Sequence, residues 1–151
     1  MRVLILYESR RGFTLTVAQA IRDQIRARGH QATTAPIRSV DAGTVAAADA
    51  LIVGSWVAGK IVAGVGPAEG ALEGIAGLPH LDGRPAAVFC TCAVAPFGTL
   101  DALASRLAAR GAHVSVGEVF RKTRRKERRL TNVPAFVDEA LREFDGSHER
   151  A

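Results

Sequence analysis

Short apolar runs alternate along this chain with longer segments in which apolar residues recur every three or four positions. The first pattern is typical of strands buried on both faces of a parallel sheet, and the second is typical of amphipathic helices that cover such a sheet. The apolar runs predict five strands, at residues 3–7, 30–37, 50–56, 85–91 and 114–120. The second segment, 30–37, is more polar than the other four and rich in Thr, so we expect it at an edge of the sheet.

The periodic segments predict helices between these strands. They comprise a first helix that ends at Gly29, a short turn at 45–48, a glycine-interrupted helix at 68–77, a helix that ends at Gly111, and a last helix at 133–144. Because parallel strands need right-handed crossovers, this order predicts an α/β fold, a three-layer sandwich around a five-stranded parallel sheet. We expect a single domain at 1–145, followed by a frayed C-terminal tail at 146–151.

The position of the ligand site follows from this fold. In an open parallel sheet, ligands bind beyond the carboxyl ends of the strands, where the strand order reverses. The candidate site therefore comprises the loops after the first, third and fourth strands, at residues 9–14, 55–66 and 91–98. The four histidines lie outside these loops and none is paired with a nucleophile in the sequence, so we nominate no catalytic residue.

The first of these loops is basic, contains one glycine and leads directly into a helix. Backbone N–H groups at a helix N-terminus favour an anion, and the hydroxyls of Ser9 and Thr14 are further donors. Arg10 and Arg11 add positive charge, and Gly12 lets the backbone approach a phosphate closely. The loop lacks both the Walker A pattern and the three-glycine dinucleotide pattern. Two interpretations stay open: the loop binds a phosphate, or Ser9 and Thr14 only cap the helix.

The second loop begins with the only tryptophan of the chain, Trp56, at the end of an apolar strand. A flat indole ring at this edge is suited to stack on a planar ligand. The alternative is that the ring only covers the top of the hydrophobic core. The sequence does not decide between these two roles.

The third loop is made mostly of small residues, which leave space for the edge of a ligand, and Thr91 adds a hydrogen-bonding side chain. Cys90 and Cys92 lie one residue apart in it, too distant on one strand face to form a disulfide without distortion. Two cysteines also lack the further ligands that a zinc site needs, so we expect structural cysteines and no metal. An anion loop, an aromatic ring and small side chains without an acid–base pair suit a cofactor that supplies its own chemistry.

Together these features resemble the flavodoxin family, whose members bind FMN at this edge of a five-stranded sheet. The resemblance runs from Val3 to about Leu141 and rests on the segments 4–14 (LILYESRRGFT), 50–55 (ALIVGS) and 89–91 (FCT). It implies the strand order 2-1-3-4-5. It also implies that FMN is bound by residues of all three loops, namely Ser9, Arg10, Arg11, Gly12, Phe13 and Thr14 around the phosphate, and Ser55, Trp56, Val57, Ala58, Gly59, Thr91, Cys92, Ala93, Phe97 and Gly98 around the isoalloxazine ring.

The chain departs from the family pattern at three positions. Arg11 stands where a hydroxyl residue usually precedes the glycine, and Phe97 is the only aromatic residue in a loop that usually contains a tyrosine. Lys60 follows Gly59 where an acidic residue is common. A lysine close to the flavin favours its reduced, anionic form by Coulomb attraction, so we expect a flavin that is easier to reduce than in an acidic family member.

The distribution of charge adds a second candidate surface. The chain has 20 Lys and Arg against 15 Asp and Glu, a net charge of +5. A segment of nine residues contributes +6 of this and leaves −1 for the remainder; its basic members are Arg121, Lys122, Arg124, Arg125, Lys126, Arg128 and Arg129. The segment is interpreted as a solvated connector, as a docking patch for an acidic redox partner, or as a nucleic-acid or membrane-surface contact. Without interleaved aromatic residues, base stacking has little support.

Two functions of different classes follow. The first is an FMN-binding flavodoxin-like protein that acts in electron transfer or in small flavin-dependent reductions. The alternative is a non-enzymatic module with a decayed cofactor site, whose basic segment docks an acidic partner. The apolar run before Glu8 is too short for a signal segment or a membrane span, and two cysteines form no disulfide scaffold, so we expect a cytoplasmic protein.

Overall fold

A computed structural model describes residues 1–60 and 64–150, and for residues 59, 60 and 64 it describes the backbone alone. The strands are β1 (Arg2–Glu8), β2 (Gln31–Pro36), β3 (Ala50–Lys60), β4 (Gly64–Pro67), β5 (Pro85–Cys92) and β6 (His113–Arg121). The helices are α1 (Phe13–Ala27), α2 (Ala42–Ala46), α3 (Glu69–Ala76), α4 (Thr99–Ala109) and α5 (Val133–Arg150), and a 3₁₀ turn spans Lys126–Arg128.

Five parallel strands form the sheet in the order β2-β1-β3-β5-β6, and the short β4 pairs antiparallel with β3 outside this path. With β4 set aside, this is the predicted order 2-1-3-4-5, so the flavodoxin-like fold class is confirmed. The chain order reverses between β1 and β3, where Glu8 pairs with Ser55 at the carboxyl ends. A crevice at this edge of the sheet is the expected consequence.

Helices cover both faces of the sheet and bury two different cores. On one face α1 and α5 pack over an aromatic cluster of Phe89, Phe120 and Phe136, whose ring centroids lie 5.9–6.4 Å apart in edge-to-face contacts. The ring of Phe89 lies directly over Gly54, where an added Cβ would come within 2.0 Å of it. On the other face α2, α3 and α4 bury aliphatic side chains such as Leu103. The pleat of each strand assigns alternate apolar residues to these two cores.

Two predicted boundaries differ from the structure. The stretch at 55–66 was predicted as a loop, but β3 continues to Lys60 and forms a hairpin with β4, because the backbone hydrogen bonds of a glycine-rich segment do not depend on side-chain pattern. Residues 61–63 of that stretch lie outside the described part of the chain. The last helix continues to Arg150 instead of ending at Phe144, so residues 146–150, for which a frayed tail was predicted, are helical. No helix in the described part is long and apolar enough to cross a membrane.

Candidate functional site

The carboxyl ends of β1, β3 and β5 border one open cleft with a volume of about 380 Å³. All three predicted loops contribute to it. The residues that line it are Arg10, Arg11, Phe13, Thr14, Trp56, Val57, Thr91, Cys92, Ala93 and Lys122. A fold rule applied to the sequence thus selected loops that the structure brings together from positions far apart in the chain.

The first loop presents unpaired backbone donors to the cleft. Gly12 is the N-cap of α1 with φ 96°, a left-handed conformation that favours glycine, and its N–H donates to the Ser9 hydroxyl at 3.2 Å. Within the described residues, the N–H groups of Phe13 and Thr14 have no acceptor, and the first turn of α1 contains no acidic side chain. A helix start with free N–H groups and no counter-charge is suited to bind an anion.

A buried hydrogen bond joins the first loop to the third. The hydroxyls of Thr14 and Thr91 lie 2.7 Å apart, and both side chains are almost completely buried below the cleft. The bond fixes the first turn of α1 against the end of β5, although 77 positions separate the two residues. Thr14 therefore does not cap the helix with its side chain, which was one of the two roles predicted for it; Ser9 accepts from Gly12 and, at 3.4 Å, from Leu15.

Trp56 packs on the hydrophobic core, which is one of the two roles that the sequence left open, and it also lies at the cleft, where the other role, stacking on a ligand, stays a prediction. Its half-buried ring packs against the aliphatic core and also lines the cleft. The guanidinium of Arg10 lies 5.1 Å from the centroid of the indole ring, a cation–π contact between the first and second loops. The ring is therefore held at the cleft edge beside a cation, where an anionic planar ligand finds both apolar surface and positive charge.

The two thiols differ in their access to the cleft. Cys92 lines it and Cys90 is fully buried beneath it, and both are free. Burial raises the pKa of Cys90 to about 12; the neighbouring Cys92 and Glu118 act in the same direction and Arg121 opposes them. Burial also raises the pKa of Cys92, against the opposing effect of Arg121. Both groups are neutral thiols at physiological pH, and no cluster of potential metal ligands occurs in the described ranges.

Several predicted site residues lie beside the cleft instead of lining it. The hydroxyl of Ser55 is fully buried and accepts the N–H of Ala68 at 3.1 Å, so it fixes the start of α3. Ala58 and Gly59 pair with β4 in the hairpin. Phe97 is exposed with φ 47° and precedes the N-cap of α4; the remaining members of this group are Ser9, Gly12 and Gly98. The predicted effect of Lys60 on the flavin depends on its side chain. That side chain is outside the described part of the structure, which gives only the backbone of Lys60.

Sequence reasoning assigned Lys122 to a partner surface, yet this residue lines the cleft. Its N–H donates to the carbonyl of Cys92 at 2.8 Å, which continues the pairing of β5 with β6 past the end of the strands. The signal that could have located it is its position directly after the last strand, at the carboxyl edge of the sheet. With Arg10 and Arg11 it makes the cleft cationic, and no carboxylate in the described part of the chain lines it.

Comparison with known proteins agrees with this architecture. A family model described as Flavodoxin matches residues 5–112, whereas among curated proteins none matches the chain. Oxidised flavodoxin 2 from Bacillus cereus is 24% identical, with a TM-score of 0.75 over 95% of this chain and 100% of that one. Two-electron reduced flavodoxin from Megasphaera elsdenii is 19% identical, with a TM-score of 0.73 over 91% and 98%. Because the family model spans most of the sequence and the strand order agrees with it, the chain belongs to the flavodoxin family.

Proposed function

We propose that this chain binds FMN in the cleft and acts in electron transfer or in small flavin-dependent reductions. The observation that supports this most directly is the start of α1, where the N–H groups of Phe13 and Thr14 lack an acceptor among the described residues and both residues line a cleft that no described carboxylate lines. A phosphate supplies the missing acceptor and the missing negative charge together. When bound, FMN supplies the redox chemistry, and the described residues that line the cleft include no paired nucleophile and base.

Each group of cleft residues has a defined part in this proposal. The N–H groups of Phe13 and Thr14 bind the phosphate, and Arg10 and Arg11 lower the free energy of the bound anion. Trp56 covers the flat ring system with apolar surface and excludes water from it. Thr91 holds the first turn of α1 in place through its bond to Thr14 and adds no charge.

Titration of the purified chain with FMN tests the proposal. We expect a yellow complex of one FMN per chain and quenching of Trp56 fluorescence at saturation, because Trp56 is the only tryptophan and lines the cleft. Binding that leaves the emission of Trp56 unchanged places the flavin elsewhere. No binding after reconstitution with excess FMN favours the alternative, a module whose cofactor site has decayed.

The partner of this carrier is proposed to be an acidic protein. The side chains of Arg121, Arg124, Arg125 and Arg128 are exposed, and none forms an ion pair within the described residues. These arginines belong to the same segment as Lys122, which lines the cleft. Their positive electrostatic field therefore attracts an acidic partner towards the mouth of the cleft, where FMN is proposed to bind.

Small redox probes of opposite charge test this surface without a known partner. We expect added salt to slow the reaction of the reduced FMN complex with ferricyanide, an anion, because salt screens the attraction. Its reaction with hexaammineruthenium, a cation, should become faster, because salt screens the repulsion. The same salt dependence for both probes contradicts a basic docking surface. We also propose a reducing, cytoplasmic location, which two free and buried cysteines support and cell fractionation tests.

A further inference from the structure

A second cavity, of about 350 Å³, lies next to the cleft on the other side of the first loop. Its walls come from the start of α1 and from the basic segment 121–129 with the residue after it. The lining residues are Arg11, Gly12, Phe13, Thr16, Lys122, Lys126, Arg129 and Leu130. Arg11, Phe13 and Lys122 line both cavities, so the two spaces are neighbours that share one cationic wall.

The charges of this second cavity have one sign. Arg11, Lys122, Lys126 and Arg129 line it, and no Asp or Glu of the described residues does. The ion pairs of the described residues lie elsewhere, at Arg22–Asp23, Arg28–Asp138, Arg38–Glu8 and His80–Asp82, and none of the four cations that line the cavity takes part in one. Four like charges around one concave space repel each other, and a bound anion removes that repulsion.

The side chain of Arg129 is held at this cavity by contacts that leave its charged end available. Nε of Arg129 donates to the carbonyl of Thr123 at 2.7 Å, and its guanidinium lies 5.8 Å from the ring centroid of Phe13. Its terminal nitrogens have no acceptor among the described residues. The N–H of Arg129 donates to the carbonyl of Lys126 at 3.2 Å across the 3₁₀ turn, and residues three apart in such a turn lie on the same side.

The basic segment is thereby divided into two sets of side chains. Three of its seven basic residues line the second cavity, namely Lys122, Lys126 and Arg129, and four do not, namely Arg121, Arg124, Arg125 and Arg128. A concave site with Arg and Lys side chains from two directions is suited to a small multivalent anion, because a guanidinium donates two hydrogen bonds to a phosphate and an ammonium adds a point charge.

We propose that this second cavity binds a phosphate group, distinct from the group held by the first turn of α1. Because Arg11 lines both cavities, its guanidinium is placed to contact both phosphates at once. Two sources of that phosphate have the same chemistry: the second phosphate of a flavin dinucleotide, continuous with the phosphate in the cleft, or a separate phosphorylated small molecule.

Isothermal titration of the FMN-saturated chain with sodium pyrophosphate at low ionic strength tests the site. We expect one pyrophosphate per chain. Lys126→Gln should weaken its binding by about fivefold, whereas Arg124→Gln, which removes the same charge from the same segment, should change it by less than about twofold. Neither side chain forms a hydrogen bond within the described residues, and far-ultraviolet circular dichroism checks that both variants fold.

Comparison of flavins then identifies the source. If the second phosphate belongs to the flavin, FAD binds more tightly than FMN, Lys126→Gln weakens FAD alone, and pyrophosphate does not bind to the FAD complex. If it belongs to a separate molecule, FMN and FAD bind alike and pyrophosphate binds to both complexes. Each of these results supports the site.

Two results overturn the proposal. One is that pyrophosphate does not bind to the FMN complex while FAD binds no better than FMN. The other is that Lys126→Gln and Arg124→Gln weaken pyrophosphate binding equally, as expected for a diffuse positive field. If the chain binds no FMN, the same pair of variants is titrated with pyrophosphate on the protein alone, so failure of the proposed function leaves this test intact.

Discussion

Open cavities lie at both ends of the sheet. The cavity at the amino end, of about 440 Å³, lies between the starts of β1 and β2 and the helix α2. It is larger than either the cleft, of about 380 Å³, or the second cavity, of about 350 Å³, at the carboxyl end. Two of its polar groups have partners in the chain. The carboxylate of Asp41 accepts the N–H of Thr44 at 2.7 Å as the cap of α2, and the N–H of Arg2 donates to Asp49 at 2.7 Å.

The carboxyl end differs in what its polar groups lack. The N–H groups at the start of α1 have no acceptor among the described residues, and the cations around them have no carboxylate beside them. The volume of a cavity therefore does not distinguish the candidate functional end of this sheet. Unsatisfied donors and charge of one sign do, because a ligand is what completes them.

The two ends are expected to lose stability at opposite extremes of pH, and this is the largest effect we predict. Burial raises the pKa of Cys90 to about 12, so the folded thiol stays neutral while the unfolded thiol ionises above about pH 9. This contribution to stability is fully present below pH 9 and is lost as the pH rises towards 12. Between pH 8 and pH 10.5 the wild type should lose about 2 kcal/mol more free energy of unfolding than Cys90→Ala. Urea unfolding at both values measures the difference.

The amino end supplies the control for that measurement. The backbone hydrogen bond from Thr44 holds the pKa of Asp41 below its ordinary value, so this contribution is present above pH 3.8 and is lost as the pH falls through the lowered pKa. Asp41→Asn should therefore reduce the acid sensitivity and leave the alkaline loss unchanged. If the wild type and Cys90→Ala lose the same free energy of unfolding at alkaline pH, groups other than Cys90 cause that loss.

Two glycines, one at each end of α1, allow the effect of backbone strain on stability to be separated from an effect on FMN binding. Gly12 and Gly29 both have positive φ, 96° and 85°, and at both an added Cβ meets open space. Alanine at either position should lower the free energy of unfolding by about 1 kcal/mol, because an L-residue resists this conformation. Only Gly12→Ala should also weaken FMN binding, by about tenfold, or about 1.4 kcal/mol. Equal affinities in the two variants would falsify the assignment of the phosphate to the Gly12 end.

Removal of one arginine at each end gives the smallest expected effect. Arg11 lines the cleft and Arg2 lines the cavity at the amino end, and both side chains are exposed. Arg11→Gln should weaken FMN binding by about threefold at low salt and less at high salt, because solvent screens an exposed charge. Arg2→Gln should leave the affinity unchanged. FMN titration of both variants at two salt concentrations measures these affinities. If both variants lose affinity alike, FMN binding depends on the net charge of the chain and not on the charge of the cleft.

Local patterns in the sequence were sufficient for most of the fold. The apolar runs located the five parallel strands because burial on both faces of a sheet requires continuous apolar residues, and the glycine stops located the ends of α1 and α4. The hairpin of β3 with β4 was not predicted. Its glycine-rich sequence has neither the continuous apolar run of a buried strand nor the three- to four-residue repeat of a helix. The antiparallel pairing there is made by backbone hydrogen bonds, which leave no pattern in the sequence.

The pattern along the chain was enough to predict the layers and the three loops at the carboxyl edge, and the family resemblance added the order of the parallel strands. Which side chains of those loops meet was visible only in the folded protein. Folding turned the Ser55 hydroxyl to the N–H of Ala68, joined Thr14 to Thr91, and brought Lys122 and Arg129 to the start of α1. The physical reason is range: periodicity reports the neighbours of a residue along one element, whereas the partner of a buried hydroxyl and the surroundings of a charge are set by segments far away in the chain.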